Sequence, residues 1–189
     1  MKKTALFSFG AAPFLAALLL SIAALPALAG DTLTPGAAAP DFTLPSQDNT
    51  PISLDAYKGK WVVLYFYPKD FTGGCTLEAH NFQRDLDKYK AANAVVLGVS
   101  LDTADSHKGF CTKESLTFKL LADPSHKVVD TYGVPLKTFT DKNTNASVTI
   151  AMRHTFLIDP SGKIVKTWDV TDIPNHSADV LAAIAAGGK

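Results

Sequence analysis

The chain has 189 residues and balances 18 basic against 18 acidic side chains. That length gives one domain with a substantial core and room for an address segment, without staples. No basic stripe or acidic tail interrupts the balance, which argues against nucleic acid as a partner.

The first 29 residues stand apart from the rest. Lys2 and Lys3 precede an apolar run from Leu6 to Leu25, and Ala27-Leu28-Ala29 supplies a small-x-small cleavage signal before Gly30. Gly10, Pro13 and Pro26 interrupt the run and no basic stop-transfer cluster follows it, so a cleaved export signal over 1–29 is expected rather than a retained anchor. Subtracting Lys2 and Lys3 leaves 16 basic against 18 acidic residues over 30–189, a formal charge of −2. The expected location is the periplasm, with a lumenal or secreted fate as the alternatives, and no stable membrane association after cleavage. Disulfides persist there, and two cysteines allow one bridge, structural or catalytic.

Residues 30–41 are rich in Pro and Ala and predict an extended leader. Phe42-Thr43-Leu44 and Ile52-Ser53-Leu54 flank a turn-rich stretch and predict a hairpin. The apolar run from Trp61 to Tyr67 predicts a strand buried on both faces. From Cys75 to about Lys90, Ala79, Phe82, Leu86 and Tyr89 recur at helical spacing, which predicts one amphipathic helix. Ala94 to Ser100 predicts a second buried strand, and Asp102 or Thr103 caps a helix running to about Glu114. Phe118 to Leu121 reads as a short strand and Ser125 to Tyr132 as a short helix ended by Gly133. Residues 135–149 hold no sustained period and predict a surface excursion or irregular hairpin. His154–Ile158 and Ile164–Trp168 flank Asp159-Pro160-Ser161-Gly162-Lys163, an antiparallel turn, and a closing helix spans about His176 to Ala186. This order predicts an α/β fold, a mixed central sheet with helices on both faces, without a repeat or second domain. Trp61 and Trp168 are expected in or near the core.

Cys75 falls where a strand hands over to a helix, after Pro68, Thr72, Gly73 and Gly74. The first turn of a helix leaves N–H groups unpaired and carries the positive end of the macrodipole, an environment that favours thiolate over thiol. A reactive thiol and a buried structural cysteine both fit this spacing.

The stretch Pro68-Lys69-Asp70-Phe71-Thr72-Gly73-Gly74-Cys75 resembles the Pro-x-x-x-Thr-x-x-Cys pattern of peroxiredoxins. Tyr65-Phe66-Tyr67-Pro68-Lys69-Asp70 and Cys75-Thr76-Leu77-Glu78-Ala79 resemble the bacterioferritin-comigratory-protein/PrxQ branch. The likeness extends through Ala39-Pro40-Asp41-Phe42-Thr43-Leu44, Lys58-Gly59-Lys60, Gly98-Val99-Ser100, Leu121-Ala122-Asp123-Pro124 and Arg153 to Asp159, and so covers nearly all of the chain after residue 30.

The resemblance implies a thioredoxin fold of the peroxiredoxin type with an N-terminal extension, often monomeric. It implies a thiol peroxidase without bound cofactor or metal that reduces hydrogen peroxide and organic hydroperoxides, with a thioredoxin-like dithiol protein as reductant. By the same resemblance Cys75 is the peroxidatic cysteine, Arg153 faces its sulfur and the peroxide, Thr72 and the Cys75 N–H orient the peroxide, and Pro68 shields the pocket. Glu78 matches a position near that arginine. Many relatives place the resolving cysteine five residues on, where this chain has His80; Cys111 matches a second subset that carries it in the following helix. A bridge needs Cα atoms within about 7 Å, so local unwinding at one or both cysteines is expected on oxidation. Gly73 stands where close relatives usually have Pro.

Other classes fit less well. A disulfide oxidoreductase would show Cys-x-x-Cys, whereas Thr76, Leu77 and Glu78 follow Cys75. His80, His107, His126, His154 and His176 form no ligand motif with the cysteines. The alternative from a different class is a non-catalytic exported thioredoxin-fold binding module with Cys75–Cys111 as a static bridge.

Overall fold

The computed structural model describes Met1, residues 31–142 and residues 144–187; residues 2–29 of the expected export signal lie outside them. A hairpin of β1 (Thr43–Pro45) and β2 (Pro51–Ser53) precedes β3 (Trp61–Phe66). Then come α1 (Gly73–Arg84), α2 (Leu86–Ala91), β4 (Ala94–Ser100), α3 (Ala104–Glu114), β5 (Lys119–Ala122) and α4 (Lys127–Thr131). A second hairpin, β6 (Leu136–Thr140) and β7 (Ser147–Ala151), leads to β8 (His154–Ile158), β9 (Ile164–Asp169) and α5 (Ile173–Ala185).

The central sheet has the order β5-β4-β3-β8-β9. β3, β4 and β5 run parallel, while β8 is antiparallel to β3 and β9 to β8, so the sheet is mixed. Val63, Tyr65 and Tyr67 enter one apolar cluster and Val62, Leu64 and Phe66 the other. Burial on both faces is why β3 reads as an unbroken apolar run. Residues of α1, α2, α3 and α5 pack on the first face; α4 and the β1–β2 hairpin cover the second. Helices therefore lie on both faces, unevenly. Trp61 and Trp168 pack partly buried against the first cluster.

Two expectations change in detail. The helix expected from Cys75 to Lys90 is two helices, because Asp85 leaves helical geometry (φ −95°, ψ 6°). Its buried carboxylate accepts from Arg84, Lys88 and the Ser177 hydroxyl of α5, so the break is fixed by a contact far away in sequence. In place of a surface excursion or irregular hairpin, β6 and β7 pair in regular antiparallel register, five residues opposite five. The described part of the leader is non-helical, as expected, and is tied to the sheet: the Gly36 and Ala39 N–H groups donate to the Ile164 and Gly162 carbonyls, and Ala38 bridges Lys163.

α3 begins where Thr103 accepts from the Ser106 N–H, a side-chain cap. α5 starts earlier than expected, with Pro174 in its first turn. It seats His176 against Trp168 and Phe82, with Nε2 2.9 Å from the Thr155 hydroxyl. Burial depresses the imidazole from its ordinary 6.5 to about 4, against the pull of Asp179 and Asp172. Unfolding frees the ring to take up a proton. Stability is thus fully present above pH 6.5 and falls as the pH drops toward 4, by about 3 kcal/mol in all. Denaturant unfolding of wild type and His176→Asn at pH 7.5 and 4.5 checks this by difference: relative to the variant, the wild type should lose most of that amount on acidification, since the opposing titration of Glu78 is common to both. An equal loss in both would reject the assignment.

Candidate active site

The site forms where the carboxyl end of β3 meets α1. Pro68, half-buried, directs the chain out of the sheet; Lys69 to Thr72 turn it, with Phe71 at φ +62°; α1 then opens at Gly73. Cys75 is the third helical residue and is 1% exposed. Its N–H lies among those that helical geometry leaves without an intrahelical acceptor.

Two side chains converge on the sulfur. The Thr72 hydroxyl is 2.8 Å from Cys75 Sγ and 3.0 Å from the Lys69 carbonyl oxygen. It has a single proton for these two acceptors. Arg153 arrives from the residue before β8, with Nη2 3.0 Å from Sγ. Its other terminal nitrogen, Nη1, donates to Glu78 Oε2. The guanidinium thus spans a carboxylate and a sulfur with its two arms. Gly74 makes the approach possible: a Cβ there would stand 2.9 Å from Arg153 Nη2 and 3.4 Å from Ile173 Cδ1. Among the described residues, a Cβ at Gly73 would meet nothing within 4 Å, in contrast to Gly74.

Glu78 points inward from α1 and is 1% exposed. Burial raises its pKa to about 7, with the charge and hydrogen bond of Arg153 opposing the rise. Among the described residues Oε1 has no hydrogen-bond partner, so there the carboxyl depends on the arginine.

Cys111 lies in α3, 7% exposed, in the same apolar cluster as Cys75, and both are free thiols. Burial pushes its thiol up to about 12, and Asp70 and Asp48 push in the same direction. It is therefore held neutral and weakly nucleophilic in this arrangement. His80 extends from α1 to Glu114 of α3, with Nε2 3.0 Å from Oε2. Among the described residues, no group of three or more His, Cys, Asp or Glu side chains is placed to hold a metal ion.

One cluster escapes sequence reasoning. Asp70, inside the pattern before Cys75, is bonded to Tyr67, Ser106 and His107. A signal existed: His107, Phe110 and Cys111 fall at i, i+3 and i+4, so a histidine shares the buried face of α3 and needs a partner.

The AhpC/TSA family model matches residues 35–167. The chain is similar to peroxiredoxin Bcp of Bacillus subtilis (strain 168), at 38% identity over 154 residues, 81% of this chain and 96% of that one. It is 42% identical to chloroplastic peroxiredoxin Q of Sedum lineare over 147 residues, 78% and 75% of the two chains. A solved structure of the Xanthomonas campestris bacterioferritin comigratory protein superposes with a TM-score of 0.69 at 34% identity, covering 78% of this chain and 92% of that chain. The sheet order with its flanking helices is accordingly the thioredoxin fold of the peroxiredoxin type, and the chain belongs to the AhpC/TSA family of thiol peroxidases, with the Bcp/PrxQ peroxiredoxins as its relatives.

Proposed function

We propose that Cys75 reduces peroxides through a sulfenic acid which Cys111 then resolves. The carrying observation is the Cys75 sulfur held between the Thr72 hydroxyl at 2.8 Å and Arg153 Nη2 at 3.0 Å. The thiolate attacks one peroxide oxygen, the O–O bond breaks, and the departing oxygen leaves with a proton as water or an alcohol. Ionisation alone supplies little: a free thiol is already a few per cent thiolate at pH 7, so full ionisation gains about thirtyfold. The larger contribution is stabilisation of charge on the departing oxygen, for which a fixed guanidinium is suited. When the Thr72 hydroxyl donates to the Lys69 carbonyl, its lone pairs are free to receive the peroxide O–H.

In the second half, the Cys111 sulfur attacks the Cys75 sulfur and the S–O bond breaks. The oxygen leaves as water, carrying its own hydrogen and the Cys111 proton. A thioredoxin-like dithiol then reduces the bridge. Pro68 screens the pocket, and Glu78 positions Arg153. The substrates are hydrogen peroxide and organic hydroperoxides; the Xanthomonas relative is described for alkyl peroxide reduction activity, which supports the second class. Kinship with peroxidases and the donors around Cys75 rank this reading above the binding module.

The domain covers residues 30–189 and acts as a monomer outside the cytoplasm after loss of 1–29. The Lys2-Lys3 start, the apolar run and Ala27-Leu28-Ala29 support export. In an exporting bacterial host the mature protein should begin at Gly30; a chain still starting near Met1 in the membrane fraction would point to an anchor.

Three variants test the chemistry by rapid mixing of reduced protein with peroxide. Arg153→Lys should slow oxidation of Cys75 by about 10²-fold or more, the scale of losing one donor aimed at developing charge. Gly74→Ala should show a smaller loss of the same kind by displacing Nη2, with the fold intact. Unchanged rates in both would remove Arg153 from the chemistry. Cys111→Ser should leave the first oxidation unchanged but abolish turnover with thioredoxin; full turnover would assign resolution to another thiol.

A further inference from the structure

The loop before Cys75 and the helix that bears Cys111 are joined by a buried polar cluster that the peroxide chemistry does not use. Asp70 is 3% exposed and His107 fully buried. Asp70 Oδ1 accepts from the Tyr67 hydroxyl at 2.7 Å, and Oδ2 accepts from the Ser106 hydroxyl at 2.7 Å. His107 Nδ1 lies 2.9 Å from the same Oδ2, and its Nε2 is 3.2 Å from the Leu121 carbonyl oxygen. An acceptor therefore faces each ring nitrogen. The Asp70 N–H in turn donates to Asp102 Oδ2 at 2.9 Å, just before α3.

A second contact lies outside the first. Phe71 is half exposed, yet its ring meets Phe110 edge to face, with centroids 5.2 Å apart, and Lys113 Nζ sits 5.6 Å from its centroid. Its φ of +62° is a left-handed conformation that a bulky residue holds only where surrounding contacts impose it.

Position gives the cluster its meaning. Cys75 follows Asp70 by five residues. Cys111 follows His107 by four, one helical turn along the same face. The cluster therefore stands at the base of both cysteine-bearing segments and ties them in the arrangement in which Thr72 and Arg153 reach the Cys75 sulfur.

We propose that Asp70, Ser106 and His107 are positioning residues for the second half-reaction: they restrain the loop and α3 in the peroxide-reactive arrangement and so set how fast the Cys75 sulfenic acid reaches Cys111. This rests on the two-cysteine cycle proposed above. Bonds made only in the starting arrangement slow departure from it. A sulfenic acid that waits longer is exposed longer to a second peroxide, whose oxygen converts it to the sulfinic acid with release of water or an alcohol.

Reduced wild type, Ser106→Ala and Asp70→Asn are mixed with excess peroxide, and the bridged and sulfinic forms of the Cys75 peptide are followed by quenched-flow mass analysis. Ser106→Ala removes one bond to a charged acceptor and keeps a good helix former, so it folds even if Asp70→Asn does not. The expected result is unchanged first oxidation, bridging about tenfold faster in Ser106→Ala, and a smaller sulfinic fraction. Amides 107–111 should also exchange faster in the reduced variant. A merely structural role would lower the melting temperature and leave the partition between bridge and sulfinic acid where it was. Bridging at the wild-type rate, or slower as a tether would give, overturns the proposal while the two-cysteine cycle stands. A wild type that oxidises Cys75 without bridging to Cys111 overturns the cycle and this inference together.

Discussion

The guanidinium of Arg153 is the interaction on which the site depends. One arm holds the inward-facing Glu78 and the other reaches the Cys75 sulfur at 3.0 Å. Without the arginine, Glu78 would be a buried carboxyl with no donor among the described residues, and the sulfur would lose a cationic neighbour. Two segments far apart in sequence must therefore meet: the start of α1, which carries Cys75 and Glu78, and the residue before β8.

The sheet provides that meeting. β8 pairs with β3 so that Phe66 lies opposite His154, which sets Arg153 beside the point where the chain leaves β3 for the active loop. Gly74 supplies the remaining space, since any Cβ there would crowd the guanidinium. On the other side of the loop, the Asp70 cluster joins it to α3 and thus to Cys111. The two cysteines share one apolar cluster but differ in what surrounds them. Donors face Cys75. Burial and nearby acidic groups keep Cys111 a neutral thiol, its pKa raised to about 12.

Local pattern carries much of this architecture. The buried strand β3, the capped start of α3 and the turn between β8 and β9 are legible because each is decided by residues adjacent in sequence. The break at Asp85 is not, since it depends on Ser177 and on two neighbouring cations reaching one carboxylate. Within the site, the strand-to-helix position of Cys75 can be read from pattern, and the close approach at Gly74 is hinted at by the paired glycines. Arg153 is different: an arginine before a strand carries no local mark, and only resemblance points to it. The Asp70–His107 contact has a partial mark, a histidine on the apolar face of α3, but its partner lies 37 residues earlier. Contacts of that kind become visible only when the fold has brought the segments together.

Cys75 and Cys111 are proposed to form one redox couple. Its most direct test is a single equivalent of hydrogen peroxide added to the reduced protein, with peptide masses read under non-reducing conditions. Rapid, stoichiometric appearance of a Cys75–Cys111 bridge that thioredoxin reverses is expected. Oxidation of Cys75 with Cys111 left as a free thiol would contradict the couple, and no change at either cysteine would contradict the peroxidase itself.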